Sequence, residues 1–217
     1  MNPTEDPSTR QLFSDIADAM GEWLDDDSSG HDMDHAWRVF SLGIELAEAE
    51  GADSEVVGAG ALTHDIHRAV GGTDESVDPA ETLPEVRVIL EQTDFPNEKI
   101  DAVEHCVAVH DEYEFRGSDR PAETIEAKIL RDADNLDAMG AIGIARCFAF
   151  TGVGGRPLWD PDGEKYSGLY HFEDKLFHLR DEMNTKTARA MAEDRHTFMV
   201  EFVERFKQEW NGEDRTE

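Results

Sequence analysis

The chain has 217 residues, enough to bury a sizeable core, and sets 50 acidic against 20 basic residues for a formal net charge of −30. With no basic stripe to neutralise phosphates, a face for duplex nucleic acid is excluded, and 39% hydrophobic residues in long amphipathic periods argue against disorder. No stretch approaches the ~20 apolar residues that span a membrane.

Apolar spacing is helical throughout and period-2 alternation is absent, so the expected fold is all-α, one helical-bundle domain over residues 1–217. A first helix is predicted over about 8–25, with Leu12, Phe13, Ile16, Met20 and Trp23 on one stripe, ended by the acidic turn 25–30. A second, over about 32–50, carries His35 and stops at Gly51. Asp53 or Ser54 can cap a third over about 54–68, whose small residues from Gly58 to Ala61 permit close packing. A Gly-, Asp- and Pro-containing loop at 71–82 precedes helices at about 83–92 and 97–110. Pro121 and Ala122 open the helix that bears Asp134, and 138–150, apolar nearly all round, reads as a buried central helix. The longest irregular segment is 151–168; helices at about 169–182 and 185–210 follow, and 212–217 reads as a frayed tail.

The acidic residues are spread over the outward faces of nearly every segment, and lysine is scarce. Such a surface repels itself in dilute buffer and is screened at molar salt, where the Debye length falls to ~3 Å. The expected setting is the cytoplasm of a salt-accumulating halophile. Cys106 and Cys147 lie in apolar helical surroundings and are expected as buried free thiols in a reducing compartment. The opening MNPTEDPSTRQLF has neither a basic nor an apolar targeting region. Nothing here fixes the oligomeric state.

Chemistry concentrates in His35, the adjacent pair His64-Asp65, and Asp134. Neutral imidazoles with carboxylates suit a divalent ion such as Mn, Fe, Co, Ni, Zn or Mg, and four protein ligands leave two octahedral positions open. His64 and Asp65 point ~100° apart around a helix, so both reach one ion only if it sits between their faces. Asp132, Asp134 and Asp137 cannot all share a helical face, but Asp134 and Asp137 are one turn apart.

These residues sit in DHAWRV, GALTHDIHRAV and EAKILRDADNLDAMGAIGIAR, with HFEDKLFHL at 171–179 and the final helix following. That order of ligands in helical contexts resembles the HD-domain metal-dependent phosphohydrolases, in particular their small single-domain members, over roughly residues 25–211. The resemblance implies a metal, Mn foremost, held by His35, His64, Asp65 and Asp134. Asp134 is chosen over Asp132 because the family's last ligand precedes a polar residue and Leu. Asp132 then reads as a surface or capping acid, and Asp137 as a support behind the ligands or a helix-pairing residue. HDIHRAV departs from the common HD-Ile-Gly-Lys form at His67 and Arg68.

The implied reaction is hydrolysis of a small phosphate ester or anhydride by metal-activated water, with a nucleotide as substrate class, including nucleoside triphosphates cut to monophosphate and pyrophosphate. Asp65 or His110 is expected to handle the water, and Arg38, Arg68 and Lys175 to meet phosphate oxygens. Arg38, Arg68 and Lys175 each also read as an ion-pair partner of a neighbouring acid. His105 reads as core or surface, and His67 stays open. A phosphodiesterase, or a metal-bound sensor without activity, are the alternatives. In 151–168, Trp159 is expected to stack on a nucleobase and Arg156 to meet a distal phosphate, with Tyr166 a further aromatic.

The charge yields a direct expectation: the melting temperature rises with KCl between dilute buffer and molar concentration. A salt-independent melt in differential scanning calorimetry contradicts the halophilic reading.

Overall fold

The computed structural model describes residues 6–24, 30–71 and 77–213. The expected acidic turn at 25–29, the loop at 72–76 and the tail at 214–217 lie outside the described residues. The α-helices are α1 (Pro7–Leu24), α2 (Met33–Glu50), α3 (Ser54–Thr63), α4 (Ile66–Gly71), α5 (Leu83–Gln92), α6 (Asn97–Val109), α7 (Ile125–Asp137), α8 (Gly140–Val153), α9 (Gly168–His171) and α10 (Lys186–Asn211). Every regular element among the described residues is helical, as the apolar spacing predicts. No single described helix is long and apolar enough to cross a membrane.

The short, small-residue helix α3 is the centre. It packs against α1, α2, α6 and α7, and every residue from 56 to 67 is buried. Small side chains make that possible: a Cβ at Gly58 would lie 2.7 Å from the Phe13 ring, closer than real carbon contacts allow. Phe13 in turn meets Phe40 edge-on at 4.8 Å, stitching α1 and α2 over this gap. Burying such an aromatic stabilises by about 2–3 kcal/mol, so the close approach of backbones is favoured. Buried apolar side chains from Phe13 to Val203 join in one cluster.

Caps fix where the helices begin. Asp32 accepts from the His35 amide and starts α2, and Gly51, at φ 74, lets the chain turn out of it. Asp53, not Ser54, caps α3 by accepting from the Glu55 and Val56 amides. Thr124 caps α7, so that helix begins after Pro121 and Ala122 rather than at them.

Three expected helices differ from the structure. The third breaks at His64–Asp65 into α3 and α4, because the His64 and His67 Nδ1 atoms donate to the Ala61 and His64 carbonyls and tighten the turn. The 138–150 segment is not the central helix: α8 meets α7 at a 71° bend and leaves Ile142 and Phe150 exposed. Its buried stripe is only Gly140, Gly143, Ile144, Cys147 and Thr151. The 169–182 segment is a succession of α9, a π turn at Phe172–Leu176 and a 3₁₀ turn at His178–Arg180. Within the expected 71–82 loop, Pro79–Thr82 forms a 3₁₀ turn.

Asp132 is not a surface acid. It is fully buried and ties α7 to the start of α10, accepting from the Asn184 amide and Nδ2 and from the Thr185 amide and hydroxyl at 2.7–2.9 Å. Trp159 lies edge-on to Trp210 with ring centres 5.6 Å apart, and Lys207 Nζ sits 6.0 Å from its ring. The irregular segment is therefore pinned to the end of α10.

Asp132→Ala strands several buried donors and is expected to lower unfolding free energy by about 2–4 kcal/mol in urea titration. A loss within error of zero contradicts the cap. Trp159→Ala, at a half-buried site, is expected to cost about 1–2 kcal/mol. Any change it makes in KM for a nucleotide would return this residue to base recognition.

Candidate metal centre

His35 enters from the first turn of α2, His64 and Asp65 from the break between α3 and α4, and Asp134 from the last turn of α7. Their donor atoms converge. His35 Nε2 lies 3.2 Å from His64 Nε2, 3.3 Å from Asp65 Oδ2 and 3.4 Å from Asp134 Oδ1. His64 Nε2 lies 3.5 Å from Asp65 Oδ2 and 3.9 Å from Asp134 Oδ1. Adjacent donors of an octahedral ion at ~2.1 Å stand about 3.0 Å apart, so these spacings match one ion with slight contraction.

The tautomers agree with that geometry. A carbonyl only accepts, so His64 Nδ1 donates to Ala61 O at 2.8 Å and His110 Nδ1 donates to Val107 O at 2.7 Å. His35 Nδ1 donates to Asp137 Oδ2 at 2.8 Å. In the His64 and His110 rings Nε2 is left to present a lone pair inward, and His35 Nε2 does the same once a metal ion displaces its proton. His110 Nε2 and Asp65 Oδ2 are buried with no hydrogen-bond partner, as atoms awaiting a ligand are. His64, Asp65 and His110 also offer three atoms within 4.8 Å of one another.

The electrostatics ask for a cation. Burial pulls the His35 imidazole down, but the carboxylates of Asp134, Asp137 and Asp65 beside it outweigh that and raise its pKa to about 10. Burial pushes the Asp65 and Asp134 carboxyls up, yet the imidazoles beside them, and Arg68 for Asp65, hold both well below the usual carboxylate range. Burial, by contrast, keeps His64, His67 and His110 below the ordinary imidazole value, hence neutral. The donor set, with two carboxylates and neutral imidazoles, fits a divalent ion.

Asp137 stands behind this cluster. Besides His35 it accepts from Arg38 Nε and Nη2 at 2.8 and 3.1 Å and from Arg146 Nη1 at 3.0 Å, while Arg146 Nε donates to Gly30 O. Arg38 is thus engaged by Asp137, in keeping with its reading as an ion-pair partner, and is not among the side chains of the cleft wall. Arg68 does face the cleft. Its Nε donates to Asp65 Oδ1 at 2.7 Å, so it serves both as ion-pair partner and as wall.

A half-open cleft of about 700 Å³, solvent mouth included, runs from Asp134 to the α8 wall. Lys175 reaches it from the π turn, with Nζ 4.5 Å from the Tyr113 ring centre and 3.9 Å from Asp111; such turns often carry functional side chains. His31, Tyr113, Arg146 and Asn135 also line the cleft, and sequence reasoning named none of them. Only His31 had a signal, as a second histidine four residues before His35, although it precedes the Asp32 cap and lies outside α2. His105 is elsewhere: its Nε2 accepts from the Glu123 amide. His67 is buried beside His110, ring centres 5.3 Å apart. Arg156 lies over Phe150 and Tyr166, and Phe150 is itself a cleft wall, so this edge of the irregular segment borders the mouth. Trp159 is not part of that wall.

Comparison with known proteins agrees with this arrangement. A family model described as HD domain matches residues 33–139, which hold all four converging side chains. The Bacillus subtilis (strain 168) protein YpgQ is 39% identical over 197 residues, 88% of this chain and 90% of its own. The crystal structure of YpgQ in complex with ADP superposes with a TM-score of 0.71 at 36% identity, covering 91% of this chain and 100% of that one. A solved Lactobacillus plantarum protein gives a TM-score of 0.76 at 32% identity, over 93% and 98% of the two chains. An HD-superfamily hydrolase from Bacillus thuringiensis gives 0.71 at 36%, over 94% and 98%. By sequence, by fold and by the residues at its centre, the chain belongs to the HD-domain superfamily.

Proposed function

We propose that this protein is a metal-dependent phosphohydrolase acting on a nucleotide, a class that includes cleavage of a nucleoside triphosphate to monophosphate and pyrophosphate. The observation that carries the reading is the meeting of His35, His64, Asp65 and Asp134 donors at the spacing of one ion, beside a cleft that holds Arg68 and Lys175. YpgQ, with ADP in its crystal structure, supports a nucleotide ligand.

In this reading those four side chains hold one divalent ion, Mn first by the chemistry of the donors. When bound, the ion supplies Lewis acidity to a phosphoryl oxygen and to the attacking water. Arg68 and Lys175 neutralise charge that builds on phosphate oxygens in the transition state. Both start from restrained positions, Arg68 through Asp65 and Lys175 through Asp111 and the Tyr113 face, so little reorganisation is needed. His110, neutral and locked at Nδ1, offers a lone pair at Nε2 to take the proton of the water, with the Asp65 carboxylate beside it. Arg38 acts through Asp137, fixing the carboxylate that orients His35. The dense acidity supports a salt-rich cytoplasm as the setting.

The His64, Asp65 and His110 group favours a second reading, in which a second ion binds and the reaction is that of a phosphodiesterase. Metal analysis of the purified protein decides between them: about one ion per chain is expected, two would move His110 among the ligands, and none after manganese loading defeats both. Single changes of His35, His64, Asp65 or Asp134 to Ala are expected to lower manganese occupancy and to reduce release of phosphate or pyrophosphate from a nucleotide panel by at least about 10³-fold. A protein that binds metal yet releases no phosphate or pyrophosphate from any nucleotide would be a sensor instead.

A further inference from the structure

Three buried polar atoms without a hydrogen-bond partner lie at the metal centre or the cleft beside it: Asp65 Oδ2 and His110 Nε2 in the ligand cluster, and Asn135 Nδ2 in the cleft wall. The first two carry lone pairs and are accounted for by a metal ion or a proton in transit. The third is different in kind. An amide NH2 is a donor with no lone pair to give, so a cation cannot satisfy it. Asn135 is only 1% exposed, so bulk water does not satisfy it either.

Its position gives the missing acceptor a character. On α7, Asn135 is one residue past Asp134, about 100° around the helix, and shares a face with Ala138 one turn on. Ala138 continues into an apolar wall made by Gly143, Cys147 and Phe150, which follow one stripe of α8, with Leu176 opposite. Arg68 and Lys175 occupy the polar part of the same cleft. The donor therefore stands beside the α8 wall, where the guanidinium of Arg146 is already engaged by Asp137 and Gly30 O and a nucleoside has apolar surface to bury.

Resting on the nucleotide reading above, we propose that Asn135 is a specificity residue: its Nδ2 donates to an acceptor on the sugar or base of a nucleotide lying along the α8 wall, while the phosphates lie at Arg68, Lys175 and the metal ligands. Until a ligand arrives the donor is unsatisfied, so the side chain contributes to recognition at the expense of the empty protein. A site that holds a buried donor for its ligand discriminates strongly against ligands lacking the acceptor.

The test uses isothermal titration of the manganese-loaded protein and its Asn135→Leu and Asn135→Ala variants, with adenosine diphosphate and inorganic pyrophosphate as titrants, and thermal melts of the ligand-free proteins. The expected result is an increase of about tenfold in Kd for adenosine diphosphate, the loss of one well-made hydrogen bond. Pyrophosphate is expected to weaken by less than about twofold, and melting temperatures to stay level or rise, since the empty protein loses no hydrogen bond. Equal weakening for both titrants would put the donor on the phosphates and overturn the proposal, as would unchanged affinity for adenosine diphosphate. A lower melting temperature in both variants would make Asn135 structural and overturn it too. If the unaltered protein binds pyrophosphate but not adenosine diphosphate, the nucleotide reading itself fails, and this inference with it.

Discussion

Two carboxylates and two imidazoles, with a third carboxylate behind them, crowd into a space nearly closed to water, and that crowding is tolerable only with positive charge among them. Buried like charges crowded around shared imidazoles repel by a few kcal/mol even at an effective dielectric near 20. The protein meets the problem by raising the affinity of His35 for a proton to a pKa of about 10, which is the same demand that a divalent ion answers. The close packing of α2, α3 and α7 exists to hold this set together. Without the small residues of α3 the three helices could not bring their ligand-bearing turns to one point.

Around that centre runs a ring of restraints that leaves the inward atoms free. His35 is steered by Asp137, His64 by the Ala61 carbonyl and His110 by the Val107 carbonyl. Arg131, at the middle of α7, donates to Val109 O from Nε and Nη2, anchoring the end of α6 next to His110. Backbone acceptors of this sort are cheap to supply and hard to displace, so each ring keeps one tautomer and one orientation. Asp137 concentrates the most: three cationic or imidazole donors converge on a single side chain.

Much of this was legible in the residues. The all-α fold follows from the apolar period, and the four converging side chains follow from residue type, helical context and the family resemblance that picks Asp134 over Asp132. What was not legible depends on partners far along the chain. Arg38 reads as a phosphate contact or as the partner of some acid, and that the acid is Asp137, 99 positions away, could not be read locally. Asp132 reads equally as a surface acid or a capping one until Asn184 and Thr185 turn their donors onto it and decide for the cap. The apolar run at 138–150 has no polar face to mark solvent, so its exposed side, with Ile142 and Phe150, could not be read from composition. The break at His64–Asp65 lies inside a continuous apolar pattern and arises from side-chain bonds to the backbone. Asn135 was passed over beside Asp134 because its distinction is the lack of a partner, and a sequence cannot show that.

The few cations that the chain keeps also bear on how a ligand arrives. Arg68, Arg146 and Lys175 make the cleft a small positive target on a body of net charge −30. An anion therefore approaches uphill through the outer field and is attracted only within the last few ångströms. Salt shortens the reach of the outer field while leaving the half-buried contacts largely intact. Capture of an anionic ligand by this cleft thus becomes faster as ionic strength rises, the reverse of the steering seen where protein and ligand carry opposite charge. Escort by a divalent ion, which lowers the ligand's own charge before the encounter, acts in the same direction.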